Sequence, residues 1–146
     1  MVEHQSKPTA QHGQSHPGQI SYHVDAERRI IFEIWAGAIG VVELREHWAV
    51  FLADPEVLAV KRTMVDLRRC DIRFTGVEWM EELERFVIRD PVVSGWITAI
   101  VAERSYIYGV ARQFLLYTDN IINGQIFESV EPALIWLTYH ASAPHP

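Results

Sequence analysis

The segment from Trp96 to Ala102 constrains the fold of this chain more than any other. It is an almost continuous run of apolar and β-branched residues, with no alternation between a polar and an apolar face. A strand of this kind is buried on both faces, which is typical of the interior of a parallel sheet with helices on either side. The segment therefore predicts a central parallel strand and an α/β architecture.

Extended and helical patterns alternate along the rest of the chain. A turn at residues 25–28 predicts an antiparallel hairpin, and Asn123-Gly124 predicts a turn before the last strand. The predicted strands are 21–25, 29–35, 63–67, 96–102 and 125–128, and the predicted helices are 41–52, 79–89, 106–115 and 129–137. The order ββαβαβαβα implies right-handed crossovers and a mostly parallel sheet with an antiparallel N-terminal edge hairpin and four helices.

Length and composition indicate how this pattern is divided. The chain has 146 residues, of which 49% are hydrophobic, and this is enough for a single core. Residues 1–19 are rich in Gln, His, Ser, Pro and Gly and have little apolar surface to bury. The sequence predicts one domain over 20–140, a disordered polar tail over 1–19 and a disordered tail over 141–146.

Charge and cysteine content exclude several classes of function. A formal net charge of −6 provides no excess of cations for phosphates, so no nucleic-acid partner is predicted. Cys70 is the only cysteine, which excludes an intrachain disulfide and a cysteine-based zinc site. His4, His12 and His16 lie on a flexible segment that preorganises nothing, so neither a metal nor another cofactor is predicted. The chain shows no secretory signal and no apolar run of about 20 residues, so a cytoplasmic location is predicted.

The stretch after the strand at 63–67 predicts a polar loop and a capped helix start. Thr75 and Glu78 have the spacing of a capping box, in which each side chain bonds to the backbone N–H of the other residue. The same helix start is also a candidate anion site, with Thr75 as a candidate phosphoacceptor. The cap is favoured because it accounts for both residues by itself. The candidate binding residues of this loop are Asp66, Arg68, Arg73, Thr75 and Gly76.

Asp66, Cys70 and His47 are the remaining candidates for chemistry. Asp66 lies at the end of its strand, where open α/β sheets bind ligands, so it is a candidate ligand contact or general base. The favoured interpretation is that Asp66 caps the following loop by accepting hydrogen bonds from backbone N–H groups. Cys70 is expected in that loop, where neighbouring arginines would lower the pKa of its thiol. His47 is expected on the outer face of the first helix, so no catalytic pair with Cys70 is predicted.

The third helix contains a second candidate surface. Gly109 costs about 1 kcal/mol relative to alanine inside a helix, which predicts that another element approaches closely there. Close packing on the sheet is the favoured interpretation, and an interface or pocket rim formed by Tyr108, Gly109 and Arg112 is the alternative. The five tryptophans are expected mostly in the core, with one or two lining a cavity or a dimer surface.

Several short motifs occur in an order that is familiar from known proteins. They are Tyr22-His23-Val24-Asp25, Gly37, Asp54-Pro55, Val65-Asp66-Leu67, Tyr108-Gly109-Val110-Ala111-Arg112, Phe127-Glu128-Ser129 and Ala133-Leu134-Ile135-Trp136-Leu137. Through them the chain resembles the small stand-alone SpoIIAA-like proteins of bacteria, within the wider STAS superfamily of sulfate-transporter and anti-sigma-factor-antagonist domains. The resemblance spans about Tyr22 to Leu137, and it implies a STAS-like fold for the whole predicted domain.

The resemblance implies less about function. The wider superfamily has Asp-Ser-Ser-Gly or a near relative after the Val-Asp-Leu strand, with a serine beside the glycine as phosphoacceptor for a partner kinase. Thr75-Gly76 falls at that place, but Arg73 and Phe74 precede it where the superfamily has an acidic residue. This departure argues against phosphorylation by an anti-sigma kinase. The stand-alone group has no established activity, and a fold does not by itself imply a function.

The sequence therefore predicts a non-enzymatic regulatory or binding module of the STAS-like type, with a protein partner or as a homodimer. The alternative is a carrier of a small apolar ligand or lipid, because lipid-transfer domains of the CRAL-TRIO type look similar in topology. An internal cavity lined by Trp and Phe would favour the carrier, and a well-filled core would exclude it. An enzyme would require Cys70 or Asp66 to lie beside a histidine in a pocket.

Overall fold

The strands of the protein form one mixed sheet. The computed structural model describes residues 7–11, 18–89 and 93–142. The strands are β1 (Lys7–Gln11), β2 (Gln19–Asp25), β3 (Ile30–Ile39), β4 (Arg62–Ile72), β5 (Trp96–Val101) and β6 (Ile122–Phe127). They lie side by side in their order along the chain; β2 is antiparallel to both of its neighbours, β1 and β3, and β3 to β6 are parallel.

Helices cover both faces of this sheet. They are α1 (Val41–Phe51), α2 (Pro55–Val60), α3 (Gly76–Leu83), α4 (Ser105–Tyr117) and α5 (Val130–Ser142), and a π-helical turn (Glu84–Ile88) extends α3. Residues of α1, α3 and α4 share one core with the sheet, and α5 packs on the other face. The predicted α/β fold is confirmed, with five helices instead of four. In the described ranges, none of the helices has the length and apolar character of a transmembrane span.

Strand β5 confirms the prediction made from its apolar run. Every residue of the strand is buried. Trp96 and Ile100 belong to the core that contains α1, α3 and α4, whereas Ala99 and Val101 belong to the core that contains α5. Side chains of a strand alternate between the two faces. Because helices cover both faces here, both sets of side chains have to be apolar.

The dipeptide Asp54-Pro55 separates α1 from α2. The Asp54 carboxylate accepts a hydrogen bond from the Glu56 N–H at 3.0 Å, and proline occupies the first turn of the helix. The sequence predicts the end of α1 here but not the short helix that follows. Its six residues are too few to show a helical period.

Strands β4 and β6 are longer than the sequence predicts. Residues 69–72 were expected in a loop, but they pair with residues 36–39 of β3 after an irregularity in the register. The expected turn at Asn123-Gly124 lies inside β6 and pairs with β5. In both places, pairing with a neighbouring strand overrides the local preference of polar residues and glycine for turns.

The middle of the predicted N-terminal tail forms a strand. Strand β1 lies within 1–19 and pairs with β2, from Lys7 opposite Tyr22 to Gln11 opposite Gln19. This pairing uses backbone groups, so it does not require the apolar side chains that the segment lacks. Residues 1–6 and 12–17, with the three tail histidines, and residues 143–146 lie outside the described residues. At the other end, α5 continues to Ser142, past the predicted domain end at 140.

We expect Gly109→Ala to stabilise the protein by about 0.5–1 kcal/mol, because alanine has a higher helix propensity than glycine. A Cβ added at Gly109 meets no atom within 4 Å, so the predicted close approach at this glycine is wrong. Gly124→Ala is the matched contrast. There an added Cβ overlaps the end of the Leu115 side chain of α4, which has to shift, so we expect no comparable gain in stability. Urea unfolding of both variants measures the two changes, and destabilisation by Gly109→Ala would contradict the first.

Candidate functional site

A cavity lies between the sheet and helices α1, α3 and α4. Its volume is about 100 Å³. For comparison, an engineered protein cavity of about 150 Å³ binds benzene. Aromatic side chains form much of the wall: Trp35, Trp48, Phe51, Phe74, Trp79, Trp96 and Phe114. Four of the five tryptophans of the chain therefore line the cavity, where the sequence predicted one or two.

Three polar side chains line this otherwise apolar cavity from the sheet. Glu33, Thr63 and Thr98 are 4%, 2% and 6% exposed, and they lie on β3, β4 and β5. Thr63 is directly opposite Thr98, and Glu33 is opposite Val65, the next position of β4 on the same face as Thr63. We call these three residues the polar strip. The cavity thus has a polar strip on the sheet and aromatic walls around it.

Two side chains hold the carboxylate of Glu33. The indole N–H of Trp35 donates to Oε1 at 3.1 Å, and His47 Nε2 contacts the same oxygen. Among the described residues, the second oxygen, Oε2, takes part in no hydrogen bond. A carboxylate is tolerated inside a protein only when it is paired. The contacts to Oε1 therefore explain how the charge is accommodated, and they leave Oε2 available.

His47 is fully buried, so the prediction that it lies on the outer face of α1 is wrong. It shares the inner face of the helix with Leu44, Trp48 and Phe51. Its ring centroid lies 4.8 Å from that of Phe51 and 6.1 Å from that of Tyr22. The prediction failed because a polar residue on a helix is normally solvated, whereas this one has a buried carboxylate as its partner.

Tyr22 supports His47 from strand β2. Its hydroxyl donates to Asp54 Oδ2 at 2.7 Å, so the side chain that caps α2 also anchors this ring. Burial of the phenol, together with the hydrogen bond to Asp54, raises the pKa of Tyr22. The phenol therefore stays protonated over the physiological pH range. The position of His47 is thus set by a neutral aromatic neighbour as well as by Glu33.

An ion pair connects α1 to α3 beside the cavity. Arg45 Nε and Nη2 donate to the two carboxylate oxygens of Glu82 at 3.2 and 3.3 Å, and Glu82 is fully buried. Helix α3 contributes Trp79 to the cavity wall, and the π-helical turn that extends it contributes Val87. Turns of this kind often occur at functional sites. The ion pair therefore fixes the helix that forms this side of the cavity.

The capped helix start predicted at Thr75 is confirmed. The hydroxyl of Thr75 accepts a hydrogen bond from the Glu78 N–H at 3.2 Å, and the Thr75 N–H donates to Glu78 Oε1 at 2.8 Å. Gly76 is the first residue of α3. The interpretation of Thr75 and Gly76 as an anion site or phosphoacceptor loop stays a prediction.

Two arginines of the same region, Arg68 and Arg73, are paired with carboxylates. Asp66 accepts the backbone N–H of Arg68 at 3.0 Å and its guanidinium group at 2.9 and 2.8 Å, so Asp66 acts as the predicted cap. Burial raises the pKa of Asp66 and the hydrogen bonds from Arg68 lower it, with a net downward shift. Arg73 pairs with Asp71 at 2.6 Å on the surface. The structure thus assigns Asp66, Arg68 and Arg73 intramolecular partners.

Cys70 does not have the environment that the sequence predicts. It lies in β4 instead of a loop and is 2% exposed, with Sγ 3.4 Å from the carbonyl oxygen of Leu67. Burial raises the pKa of its thiol to about 12, outweighing the attraction of Arg104 for the thiolate. The expectation of a lowered pKa is therefore wrong. Among the described residues, neither Cys70 nor Asp66 forms a hydrogen bond with a histidine.

The second candidate surface lies on the outside of α4. Tyr108, Gly109 and Arg112 are exposed. None of them lines the cavity, which α4 reaches through Val110, Ala111 and Phe114. Their proposed role at an interface stays a prediction.

The fold can be compared with those of known proteins. No protein-family model matches the chain, and the comparison with curated proteins finds no match. Among solved structures, the chain is similar to the crystal structure of an uncharacterized protein from the DUF3478 family with a SpoIIAA-like fold, from Shewanella loihica PV-4. The TM-score is 0.50 at 13% sequence identity, and the match covers 94% of this chain and 98% of that chain. The chain has a SpoIIAA-like fold.

At this identity, the likeness concerns the fold alone. It confirms, at the level of the fold, the resemblance to SpoIIAA-like proteins that the sequence motifs indicated. The regulatory role, the protein partner, the homodimer and the cytoplasmic location stay predictions. The site has to be interpreted from its own chemistry, because unrelated functions recur on one fold.

Sequence reasoning missed Glu33, Thr63 and Thr98, and it placed His47 on the wrong face of α1. A signal for Glu33 and Thr98 is present, because strand residues two apart share a face. Ile31, Glu33 and Trp35 alternate within one predicted strand, so a charged residue stands between two apolar ones on one face. The same reasoning identifies Thr98 between Trp96 and Ile100. The pairing of His47 with Glu33 has no such signal, because it depends on how α1 docks.

We expect His47→Leu to destabilise the protein by about 3 kcal/mol, because it leaves the buried carboxylate of Glu33 without its imidazole partner. Adding Glu33→Gln to that variant removes the unpaired charge and should recover part of the loss. Guanidinium chloride unfolding of the single and double variants provides the double-mutant cycle. Strictly additive losses would show that the two side chains do not interact.

We expect Thr75→Ala to reduce stability by about 1 kcal/mol, because the first turn of α3 loses its cap. Thr75→Ser keeps a hydroxyl at the same position and should retain most of the stability. Thermal unfolding of both variants compares them directly. Equal losses for serine and alanine would contradict the role of the hydroxyl as the cap.

Proposed function

We propose that the protein is a non-enzymatic binding module that holds one small, largely apolar molecule in its aromatic cavity. The observation that carries this proposal is the polar strip of Glu33, Thr63 and Thr98 inside an otherwise apolar cavity. This proposal combines the two functions that the sequence suggested, a binding module and a carrier. It assigns the binding to a single place in the fold.

The energetic cost of this arrangement supports the proposal. A cavity of about 100 Å³ corresponds to about 2 kcal/mol of lost stability, at roughly 24 cal/mol per Å³. Burial of Glu33 adds a further cost that an apolar side chain at the same position would avoid. Natural proteins violate packing rules of this kind mainly at functional sites. A ligand that fills the cavity would restore the missing contacts.

The volume limits what the cavity can hold. A cavity of about 150 Å³ accommodates the six carbon atoms of benzene, so about 100 Å³ corresponds to roughly four or five non-hydrogen atoms. The acyl chain of a membrane lipid is several times larger. The geometry therefore favours a small molecule over the lipid that was considered from the sequence.

The chemistry of the wall favours binding over catalysis. Glu33 and the two threonines are the polar residues that line the cavity, and His47 is not part of the lining. A hydrolytic or acyl-transfer site would need a nucleophile with a base beside it. Thr63 accepts a hydrogen bond from the indole N–H of Trp96 at 2.7 Å and, within the described part of the chain, forms none with a histidine. The wall thus offers recognition groups and no activated nucleophile.

We expect isobutanol, with five non-hydrogen atoms, to bind in the cavity with a dissociation constant in the range of about 1–100 mM, which is typical of so small a ligand. Four tryptophans line the cavity, so intrinsic fluorescence and the NMR signals of the indole N–H groups report binding. Ala111→Leu should abolish binding, because Ala111 lines the cavity and a larger side chain fills it.

Two further variants make this experiment decisive. Ala111→Val fills less space and serves if the leucine variant folds poorly. Leu116→Ala, on the exposed face of the same helix, is the matched control and should leave binding unchanged. Binding that survives in both filled variants would contradict the cavity as the site.

A further inference from the structure

We propose that the cavity selects a small primary alkylamine in its ammonium form. This inference rests on the proposed function, because it names the class of ligand that the same cavity binds. It follows from the charge of the cavity wall, from the acceptors of the polar strip and from the aromatic rings around them.

The charge of the wall distinguishes cations from anions. Glu33 is the charged residue among the side chains that line the cavity, and no Lys, Arg or His is part of the described lining. A ligand carboxylate would be placed beside the carboxylate of Glu33, and no cationic side chain of the described lining would attract it. An ammonium group would instead pair with it in a region of low dielectric constant.

The carboxylate of Glu33 is arranged to receive such a group. Trp35 and His47 both contact Oε1, which fixes the orientation of the side chain. Oε2 takes part in no hydrogen bond with the described residues. A ligand that binds Oε2 therefore meets a carboxylate whose conformation is already restricted, which lowers the entropy lost on binding.

The number of acceptors matches a primary ammonium group. Such a group has three N–H donors, and the polar strip provides the carboxylate of Glu33 and the hydroxyl oxygens of Thr63 and Thr98. The Thr63 oxygen already accepts the indole N–H of Trp96 and keeps one lone pair for a ligand. Thr63 and Thr98 are directly opposite each other on neighbouring strands. A neutral alcohol has one donor, so it can use only one of these acceptors. The polar strip therefore favours the amine over the alcohol because of the number of acceptors as well as because of its charge.

Aromatic walls act in the same direction. Indole rings attract cations more strongly than other aromatic side chains do, because of the negative potential on their faces. Trp35, Trp48, Trp79 and Trp96 all line the cavity. A small alkyl group on the amine would occupy the apolar remainder, within the limit of roughly five non-hydrogen atoms that the volume sets.

The test compares four probes of similar size: isobutylamine, isobutanol, isobutyrate and tetramethylammonium. Each is titrated at pH 7 and constant ionic strength, with the indole N–H signals as the readout. We expect isobutylamine to bind at least about ten-fold more tightly than isobutanol, as one charge-assisted hydrogen bond provides. Isobutyrate should bind more weakly than the alcohol. Tetramethylammonium, which has no N–H donor, should bind more weakly than isobutylamine.

Variants connect this preference to the polar strip. Glu33→Gln should abolish the preference for the amine, so that isobutylamine binds no more tightly than isobutanol. Thr98→Val removes one acceptor, keeps the contacts of Glu33 and should reduce amine affinity several-fold; it also serves if Glu33→Gln folds poorly. Glu46→Gln changes an exposed charge on α1 and is the matched control. It should change nothing.

The outcomes separate this inference from the proposed function. If no probe binds, or if binding is unaffected by filling the cavity at Ala111, the proposed function itself fails. If isobutanol binds in the cavity as tightly as isobutylamine, or if the amine preference survives Glu33→Gln, the cavity binds ligands but the selection of amines is wrong. Tighter binding of isobutyrate than of isobutanol would also contradict the selection of amines.

Discussion

The buried carboxylate of Glu33 is the group on which the rest of the site depends. It lies on a central strand, so the protein has to bring donors to it across the interface between sheet and helix. Trp35 supplies one donor from the same strand and His47 supplies a contact from α1. Docking of α1 on the sheet therefore depends on the contact between His47 and Glu33 as well as on the burial of apolar surface. Because Tyr22 packs on His47 and bonds to Asp54, the same linkage extends to β2 and to the start of α2.

The two faces of the sheet serve different purposes. Helix α5 covers one face with a core of aliphatic and aromatic residues. On the other face, α1, α3 and α4 leave a cavity between themselves and the sheet. Beside it, the ion pair between Arg45 and Glu82 connects α1 to α3. A sheet face with a cavity above it can accommodate a small ligand, whereas a fully packed face cannot.

The elements of the fold could be predicted better than the site. Strand β5 could be predicted because complete burial requires a continuous apolar run. The cap at Thr75 could be predicted because it involves residues only three positions apart. Strand β1, the end of β4 and the start of β6 could not, since their pairing uses backbone groups and leaves little trace in side chains. In the site, Glu33 could have been recognised from the alternation along β3. Its contact with His47 could not, because it joins residues of two elements whose relative position no local pattern contains.

The amino-acid sequence alone predicts the class of fold, the order of most strands and helices, and the cap at Thr75, because each of these depends on periodicity or on neighbours within a few residues. Tertiary packing turns His47 inward, buries the Cys70 thiol and raises its pKa, and places Glu33 on a cavity wall with two threonines. These facts depend on which side chains meet across the sheet and helices, and on the space that remains between them. A cavity is a property of packing between elements, so it has no signature in any single segment of the chain.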